Sequence, residues 1–302
     1  WKTVLETAFG HNTYFLYAQD EGVIVGILPL AQVKSAVFGN TLSSLPFCVY
    51  GGIVADNEQA AQALRQEACR LAESLRVGAL ELRNREASDT NWPVKELYFT
   101  FRKAIEPDDE VNLKAIPNRQ RAMVRKGIEE GLLSEWDDGT KRLYRVYAES
   151  VRNLGTPVFS AQYLCILQQV FGDDCSVLMI THNERDVAAV MSFYFRDEVI
   201  PYYGGSTAGA RTLKGANHFM YWELMRRSRE QGYRLFDFGR SKAGTGPYSF
   251  KKNFGFEPQA LPYEYYLVTS DAIPDVNPLN PKYRLMIKVW SKLPLSVANF
   301  IG

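Results

Sequence analysis

The sequence predicts an α/β (α+β) protein built from two tandem lobes with mixed sheets, which a helical insert joins. The first observation is a repeat, because Tyr50-Gly51-Gly52 recurs 153 positions later as Tyr203-Gly204-Gly205. The second is that segments rich in Tyr, Phe and Val, which are typical of strands, precede each triplet. The third is that a helix and a short strand follow each triplet. Each half therefore has the pattern of one α/β unit.

The repeat divides the chain into four consecutive ranges. They are a first lobe at 1–105, the helical insert at 106–172, a second lobe at 173–270 and a tail at 271–302. We expect residues before Trp1 to complete the first lobe, since its first elements are short. Because ligand sites favour clefts, we expect the functional site between the two lobes.

In the first half, strands are predicted at 13–18, 23–30, 43–49 and 80–82. A helix is predicted at 57–76, with Asp56 as its N-cap and Gly78 as its C-terminal cap. Apolar residues at spacings of three and four give this helix a single stripe. The stripe consists of Ala60, Leu64, Ala68, Leu71 and Leu75.

In the second half, strands are predicted at 176–181, 187–195, 199–203 and 236–238, and a helix at 215–231. The insert is predicted to hold a basic helix that begins after Pro117, followed by helices at 140–154 and 160–171. The tail is Pro-rich and then basic and amphipathic, with Trp290 among its apolar residues. This stretch packs on the second lobe or lies on an anionic membrane surface, and the sequence leaves both open.

Charge and cysteine content limit the class of protein. Basic and acidic residues nearly cancel, 35 against 34, so a nucleic acid or an anionic lipid would have to be bound by a local patch. None of the four cysteines forms a Cys-x-x-Cys pair, which predicts free thiols. The sequence has no signal peptide and no apolar run of spanning length, so we expect a cytoplasmic protein, or one at the inner face of the membrane.

Residues 236–255 hold the densest group of chemically useful side chains. Asp237 ends a predicted strand, and a glycine-rich loop follows it. Glycine lets the backbone approach a ligand closely, and Arg240, Lys242 and Lys251 can neutralise a phosphate or a developing oxyanion. A long solvated hairpin with surface cations explains the same composition.

Other catalytic motifs fail on their spacing. Ala208 stands where a nucleophile elbow needs its second glycine, and His182 and His218 have no acidic partner at motif spacing. The sequence also contains no Walker loop, no dinucleotide-binding glycine motif and no cluster of metal ligands.

Motifs spread over residues 5–270 resemble one family, the Fem proteins. These non-ribosomal peptidyltransferases take amino acids from aminoacyl-tRNA and add them to peptidoglycan precursors. The motifs that resemble their two lobe signatures are Ser44-Leu45-Pro46-Phe47, Tyr50-Gly51-Gly52, Tyr203-Gly204-Gly205-Ser206 with Asn217, Asp237-Phe238-Gly239-Arg240, Gly246 and Phe250-Lys251-x-x-Phe254-Gly255. The subgroup associated with exosortase and PEP-CTERM sorting systems looks most similar, and its tail resembles Asn280-Pro281-Lys282-Tyr283.

The resemblance implies two GNAT-like (acyl-CoA N-acyltransferase-like) lobes and the transfer of an acyl or aminoacyl group to an amine. The acceptor would be a cell-envelope or exopolysaccharide-related molecule, either small or lipid- or sugar-linked. The donor would be aminoacyl-tRNA or, alternatively, acyl-CoA or acyl carrier protein, with no bound cofactor and no metal. A non-catalytic scaffold of a sorting or polysaccharide system is the second alternative. The insert is too short for the coiled-coil arm of many Fem proteins, so tRNA would meet a modest patch made of Arg119, Arg121, Arg125 and Lys126.

The resemblance also implies the residues of the site. Lys251 is expected at the reaction centre, where it supports the transferred carbonyl. Asp237 either deprotonates the attacking ammonium or pairs structurally with Arg240. The substrate-binding residues are expected to be Arg240, Lys242, Gly246, Tyr248, Phe250, Tyr203, Gly204, Ser206, Asn217 and Tyr50.

Overall fold

The computed structural model describes residues 1–35, 39–88, 90–274 and 287–301. The chain forms two compact units whose parts alternate along the sequence. Unit 1 comprises Trp1–Phe99, Arg240–Ala243 and Ala260–Val276, and unit 2 comprises Thr100–Gly239, Gly244–Gln259 and Asn277–Gly302. Strands from distant parts of the chain complete each unit, so its bounds differ from the consecutive ranges that the repeat predicts.

Helices and strands alternate along most of the chain. The helices are α1 (Lys2–Phe9), α2 (Glu58–Ser74), α3 (Asp109–Ala115), α4 (Asn118–Glu129), α5 (Lys141–Asn153), α6 (Ala161–Phe171), α7 (Ala216–Glu230), α8 (Gly246–Asn253) and α9 (Leu295–Ile301). The strands are β1 (Asn12–Asp20), β2 (Val23–Ser35), β3 (Gly39–Ser44), β4 (Val54–Ala55), β5 (Ala79–Arg83), β6 (Val94–Ala104), β7 (Leu133–Asp137), β8 (Cys175–His182), β9 (Arg185–Phe195), β10 (Glu198–Ser206), β11 (Leu235–Asp237), β12 (Ser241–Lys242) and β13 (Pro258–Leu267).

The sheet of unit 1 is mixed, as predicted. Its strands follow the order β1-β2-β3-β5-β13, and β3 and β5 form its parallel pair. Helix α2 packs its apolar stripe on this sheet. The resulting core contains Leu28, Leu30, Leu42, Leu64, Ala68, Ala72, Val77, Leu80 and Leu82. The parallel pair places the carboxyl ends of two strands side by side, which is where open α/β sheets bind ligands.

The ends of helix α2 differ from the prediction. The N-cap is Asn57, whose side chain accepts a hydrogen bond from the Ala60 amide at 2.8 Å, and Asp56 precedes the cap. The helix ends at Leu75, before Gly78. Gly78 instead bonds to strand β3, where its amide donates to the Asn40 carbonyl at 2.8 Å. Asn and Asp are almost equally favourable as N-caps, so the sequence alone does not show whether Asp56 or Asn57 is the cap.

Unit 2 has a second mixed sheet in the order β6-β11-β10-β9-β8-β7, with β10 and β11 as its parallel pair. The segment predicted as a helical insert also contributes strand β7, which pairs antiparallel with β8 from Leu133↔Thr181 to Asp137↔Val177 and lies between the predicted helices. A five-residue strand at the edge of a sheet has little periodicity by which a sequence can reveal it.

The tail falls partly outside the described residues. Residues 275–286, which include the Asn280-Pro281-Lys282-Tyr283 motif, are among those left undescribed. Residues 287–301 lie in unit 2, and Ile287 packs so closely on Gly155 that a Cβ there would be 2.5 Å from the Ile287 Cγ2. This contact supports packing on the second lobe. No helix among the described residues has the length and apolar character needed to cross a bilayer.

Candidate active site

The segment predicted as a glycine-rich loop folds partly as a helix. After strand β11 ends at Asp237, the chain turns at Gly239, which has φ +66°, and forms strand β12. Helix α8 then begins at Gly246, with the Thr245 hydroxyl accepting a hydrogen bond from the Tyr248 amide at 3.4 Å. Pro247 suits the first turn of a helix, where its missing N–H is not needed. The solvated-hairpin alternative is therefore wrong from Gly246 onward.

Helix α8 holds the Lys251 ammonium in one place. The Nζ atom donates to the carbonyl oxygens of Phe238 at 2.6 Å and Gly239 at 3.0 Å. It also lies 5.7 Å from the ring centroid of Phe101 and 5.8 Å from that of Phe238. Two carbonyl dipoles and two aromatic faces stabilise the positive charge at the carboxyl end of β11.

Asp237 is buried beside this lysine, with 1% of its surface exposed. Its carboxylate accepts hydrogen bonds from Thr100 Oγ1 at 3.0 Å, Arg102 Nη1 at 2.8 Å and the Gly239 amide at 2.7 Å. Within unit 2 the carboxylate forms an ion pair with Arg102 from strand β6. Three donors engage the carboxylate oxygens, which favours a structural role over proton transfer.

Arg102 is a site residue that the sequence analysis missed. Its guanidinium also donates to the Glu198 carboxylate, so one arginine links β6, β10 and β11. It stands opposite Asp237 in the register of β6 and β11, 135 positions away along the chain. No local motif signals such a pairing, because register depends on which strands meet.

Aromatic rings surround Lys251 within unit 2. The Tyr248 ring packs edge-on against Phe101 at 5.3 Å, and the Phe250 ring stacks on Phe254 at 5.7 Å. Tyr221 from helix α7 meets the Phe238 ring at 4.8 Å, and burial raises its pKa to about 12. The structure therefore brings the predicted residues Asp237, Tyr248, Phe250 and Lys251 together, and adds Phe101 and Tyr221. Gly246 is exposed at the start of α8.

The second Tyr-Gly-Gly triplet lies on strand β10. Tyr203 is 6% exposed, and its hydroxyl shares a hydrogen bond of 2.6 Å with the hydroxyl of Tyr163. Burial raises the pKa of Tyr203 well above its usual value. Gly204 packs on Val190 of the neighbouring strand, and Ser206 is half-buried at the end of β10. Tyr203 thus belongs to an aromatic core beside the strand, where its ring contacts those of Tyr147, Phe159 and Tyr163.

Beyond its start, strand β10 separates from β11. The parallel pairing covers only Glu198↔Leu235 and Val199↔Phe236, so β10 continues to Ser206 without β11 beside it. Two parallel strands that diverge leave a crevice at their carboxyl ends. Asn217, another predicted site residue, is exposed in the first turn of α7.

Arg240 and Lys242 belong to unit 1. The Arg240 guanidinium lies 4.5 Å from the ring centroid of Tyr98 and 5.5 Å from that of Tyr263, and it donates to the Tyr263 hydroxyl at 3.3 Å. Lys242 Nζ lies 5.9 Å from the same Tyr98 ring. Two predicted cations therefore share one aromatic residue, Tyr98, which the sequence analysis did not single out.

The loop that leads to Tyr50 is strained and firmly held within unit 1. Leu45 and Phe47 have positive φ angles of 48° and 71°, which non-glycine residues rarely adopt. The Arg83 guanidinium donates to the carbonyls of Leu45 at 3.2 Å and Cys48 at 2.7 Å. The same guanidinium, set against the opposing effect of burial, lowers the pKa of Glu81. Tyr50 is half-buried at the end of this loop.

Comparison with known proteins identifies the fold. Residues 114–252, just under half of the chain, match the model of an acetyltransferase (GNAT) domain. The crystal structure of FemX superposes with a TM-score of 0.67 at 14% identity, covering 88% of this chain and 90% of that one. L-PGS from Bacillus licheniformis gives 0.60 at 14% identity, with 97% and 96% covered. A tandem GNAT protein from the clavulanic acid biosynthesis pathway gives 0.55 at 12% identity, with 87% and 85% covered. None of the curated proteins matches the sequence significantly.

These likenesses confirm the predicted fold class. The chain has a tandem GNAT-like fold, which it shares with these structures, and because the identities are low the likenesses show the fold alone. The assignment to the exosortase-associated subgroup stays a prediction, as do the roles of the individual site residues.

Proposed function

We propose that this chain, with its Fem-like tandem GNAT fold, transfers an acyl or aminoacyl group to an amine of a cell-envelope or exopolysaccharide-related acceptor. The observation that supports it most is the Lys251 ammonium, which two backbone carbonyls and two aromatic rings hold at the carboxyl end of β11. A fixed cation in an aromatic setting is suited to stabilising charge that appears only during a reaction. The acceptor is small, or is linked to a lipid or a sugar.

The reaction is an acyl transfer through a tetrahedral intermediate. The neutral amine of the acceptor attacks the carbonyl carbon of the donor ester or thioester, and the carbonyl oxygen becomes an oxyanion. Lys251 donates a hydrogen bond to that oxyanion, an interaction worth about 3 kcal/mol in comparable sites. The intermediate then expels the alcohol or thiol of the donor, and the amide bond remains.

The two ends of segment 236–255 have separate tasks in this proposal. Asp237, whose carboxylate is engaged by Arg102, Thr100 and Gly239, positions the turn whose carbonyls hold Lys251. In unit 1, Arg240 and Lys242 beside Tyr98 bind a phosphate-bearing part of a substrate. Guanidinium groups suit this task, because they donate two parallel hydrogen bonds to a phosphate.

The packing around helix α7 favours an aminoacyl ester over acyl-CoA as the donor. Helix N-termini and the loops before them are common pyrophosphate sites, because their amides point outward. Here the Met123 carbonyl of α4 lies so close to Gly215 that a Cβ there would be 2.1 Å from the oxygen. The Ala208 amide in the preceding loop donates to the Glu149 carboxylate at 2.6 Å. The Glu149 carboxylate thus occupies one amide that a pyrophosphate could use, and the Met123 carbonyl crowds the turn before α7; an aminoacyl-tRNA donor needs neither position.

One observation favours the second candidate, an acyltransferase that uses acyl-CoA or acyl carrier protein. Strand β10 continues from Ile200 to Ser206 without β11 beside it, and Gly204 and Gly205 lie in this stretch. Exposed strand amides beside glycines can bind an extended amide-containing arm, as β-augmentation shows for peptides. A thioester carrier could reach Lys251 along such a slot.

The catalytic proposal is tested by Lys251→Met, with Lys252→Met as the matched control on the next position of the same helix. Lys252 is exposed, whereas Lys251 is half-buried and bonded to two carbonyls. We expect Lys251→Met to lower the transfer rate at least 100-fold, and Lys252→Met to leave it unchanged. If the two variants have equal yields of product, the proposal is wrong and a non-catalytic scaffold becomes the better explanation.

The donor is tested by binding. Purified protein is titrated with charged aminoacyl-tRNA and, in parallel, with CoA thioesters at two salt concentrations. Tight tRNA binding that weakens with salt supports the ester donor. Thioester binding without tRNA binding supports the second candidate, and binding of neither donor contradicts both.

A further inference from the structure

A histidine outside the predicted site lies against the helix that carries Lys251. His218 is in the first turn of α7, and its ring centroid lies 5.0 Å from that of Phe250 and 6.0 Å from that of Phe254 on α8. The ring is half-buried. Within the described part of the chain, neither of its nitrogens has a hydrogen-bond partner. A polar ring in an aromatic setting without such a partner is costly unless water or a ligand supplies one.

Tyr221 lies one turn further along the same face of α7, and it too places a polar group among aromatic rings. Its ring packs at 4.8 Å on Phe238, whose carbonyl accepts from Lys251, and at 5.6 Å on Phe250. Its hydroxyl also lacks a hydrogen-bond partner among residues 1–35, 39–88, 90–274 and 287–301. Two polar groups spaced three residues apart therefore point from α7 toward α8 without protein partners. Such a pair is expected where a ligand supplies the missing contacts.

Burial controls the charge state of His218. Its pKa lies below the usual value because burial disfavours the imidazolium form. The elements around it carry the following charged and titratable groups: Tyr221, Glu223, Arg226, Arg227, Arg229 and Glu230 on α7, Tyr248, Lys251 and Lys252 on α8, Arg119, Arg121, Arg125, Lys126 and Glu129 on α4, and Glu198, Tyr202 and Tyr203 on β10. None of the described carboxylates bonds to the ring, and Glu223 and Glu198 are paired with arginines. The ring is therefore neutral at neutral pH and available to accept a proton.

We propose that His218 is the general base that takes the proton of the attacking ammonium, an inference that rests on the function proposed above. The ammonium of the acceptor transfers one proton to an imidazole nitrogen, and the freed electron pair forms the bond to the acyl carbon. When the ester bond breaks, the imidazolium returns that proton to the departing oxygen. The nitrogen of the new amide loses its second proton to solvent water, so the reaction releases one proton overall and the enzyme ends in its initial protonation state.

The alternatives within the described residues are weaker bases for this step. Asp237 already accepts three hydrogen bonds, one of them from a guanidinium. His182 ends strand β8 at a tight turn, where its ring meets the Asn183 side chain at 3.5 Å. Only His218 combines a neutral ring with packing against the helix of Lys251. Lys251 then stabilises the oxyanion, and His218 accepts the proton beside Phe250, the neighbour of Lys251 on the same helix.

The test compares His218→Gln with His182→Gln, which removes a histidine of the same unit away from α8. We expect the kcat/KM of the wild type to fall at a pH below the ordinary imidazole value of about 6.5, because burial lowers the pKa of His218 and protonation removes the base. His218→Gln should lose this acid limb and lower kcat at neutral pH by about 100-fold or more. His182→Gln should keep the wild-type profile, and both variants should keep the wild-type melting temperature.

The outcomes separate this inference from the function on which it rests. An active wild type with the same acid limb in His218→Gln overturns the role of His218 and leaves the transferase proposal standing. A wild type that transfers nothing from either class of donor overturns both. A lost activity that returns with free imidazole in His218→Ala, but not in Lys251→Ala, supports proton transfer over a loss of packing.

Discussion

At the scale of the residue, Asp237 belongs to a motif that implied catalysis, but its contacts favour a structural role. The carboxylate lies at the position where a general base was one of two expectations, yet Arg102, Thr100 and Gly239 all donate to it. Both members of the ion pair are buried, with side chains 7% and 1% exposed. Breaking a buried pair by removing one partner is costly, because the other charge is left without compensation.

We therefore expect Asp237→Ala to lower the free energy of unfolding by about 3 kcal/mol or more. Asp237→Asn should cost less, since its amide oxygen still accepts from Thr100 and Gly239. Urea denaturation followed by tryptophan fluorescence measures both. Asp237→Asn should also retain the pH profile of transfer. A stability close to that of the wild type for Asp237→Ala would contradict the structural role.

The sequence predicted some of these residues and not others, for a physical reason. Tyr248, Phe250 and Lys251 lie within a single turn of helix α8, so one contiguous sequence motif contains all three. Arg102 and Phe101 come from strand β6, and they reach the site only because β6 pairs with β11. Tyr98 reaches Arg240 through the pairing of β6 with β12. The whole sheet determines which distant strands pair, so no local spacing of residues in the sequence predicts the pairing.

At the scale of the element, the short helix α8 carries the site and has marginal stability of its own. It has eight residues, and it begins with Gly246, which is a poor helix former. Isolated helices of this length do not persist in water. Its Thr245 cap and its aromatic packing on Phe238 and Tyr221 therefore hold it in place.

Thr245→Val should loosen α8 while preserving the shape of the side chain. Loss of an N-cap costs about 1 kcal/mol, and we expect it to appear as faster amide exchange at residues 248–253 and a lower kcat. Thr245→Ser keeps the hydroxyl and serves as the control, with exchange close to that of the wild type. Equal protection in Thr245→Val and Thr245→Ser would show that packing alone maintains the helix.

The same reasoning explains which elements the sequence predicted. Helix α2 was expected at 57–76 and is found at Glu58–Ser74, because a long apolar stripe at helical spacing defines it. Helix α8 was not predicted, and its segment was described as part of a glycine-rich loop or a hairpin, since eight residues show little helical periodicity. Strand β7 was not predicted, and it lies within the range that was expected to be a helical insert. Short elements take their conformation from their neighbours, and their own residues specify it weakly.

At the scale of the whole molecule, charge limits how a polyanionic donor can bind. The net charge is +1, so long-range attraction of the protein as a whole is negligible. Helix α4 supplies the local alternative, but its cations differ in their surroundings. Arg121 donates to the Lys114 carbonyl at 3.0 Å and to the Asn118 side chain. Arg119 and Arg125 are exposed, and neither has a hydrogen bond or an ion pair among the described residues.

If aminoacyl-tRNA is the donor, we expect Arg119 and Arg125, the two exposed arginines of the predicted patch, to contact its phosphates. Each phosphate contact contributes about 0.7 to 0.9 to the slope of the logarithm of the binding constant against the logarithm of salt concentration. The double substitution Arg119→Gln with Arg125→Gln should reduce that slope by about 1.5. Arg76→Gln with Arg85→Gln removes the same charge from exposed positions of unit 1 and serves as the control. A response to net charge alone would change both slopes equally, whereas a local contact changes only the first. Equal slopes would thus exclude α4 as the tRNA surface, and a reduced slope for the α4 variant alone would assign the donor and its contact together.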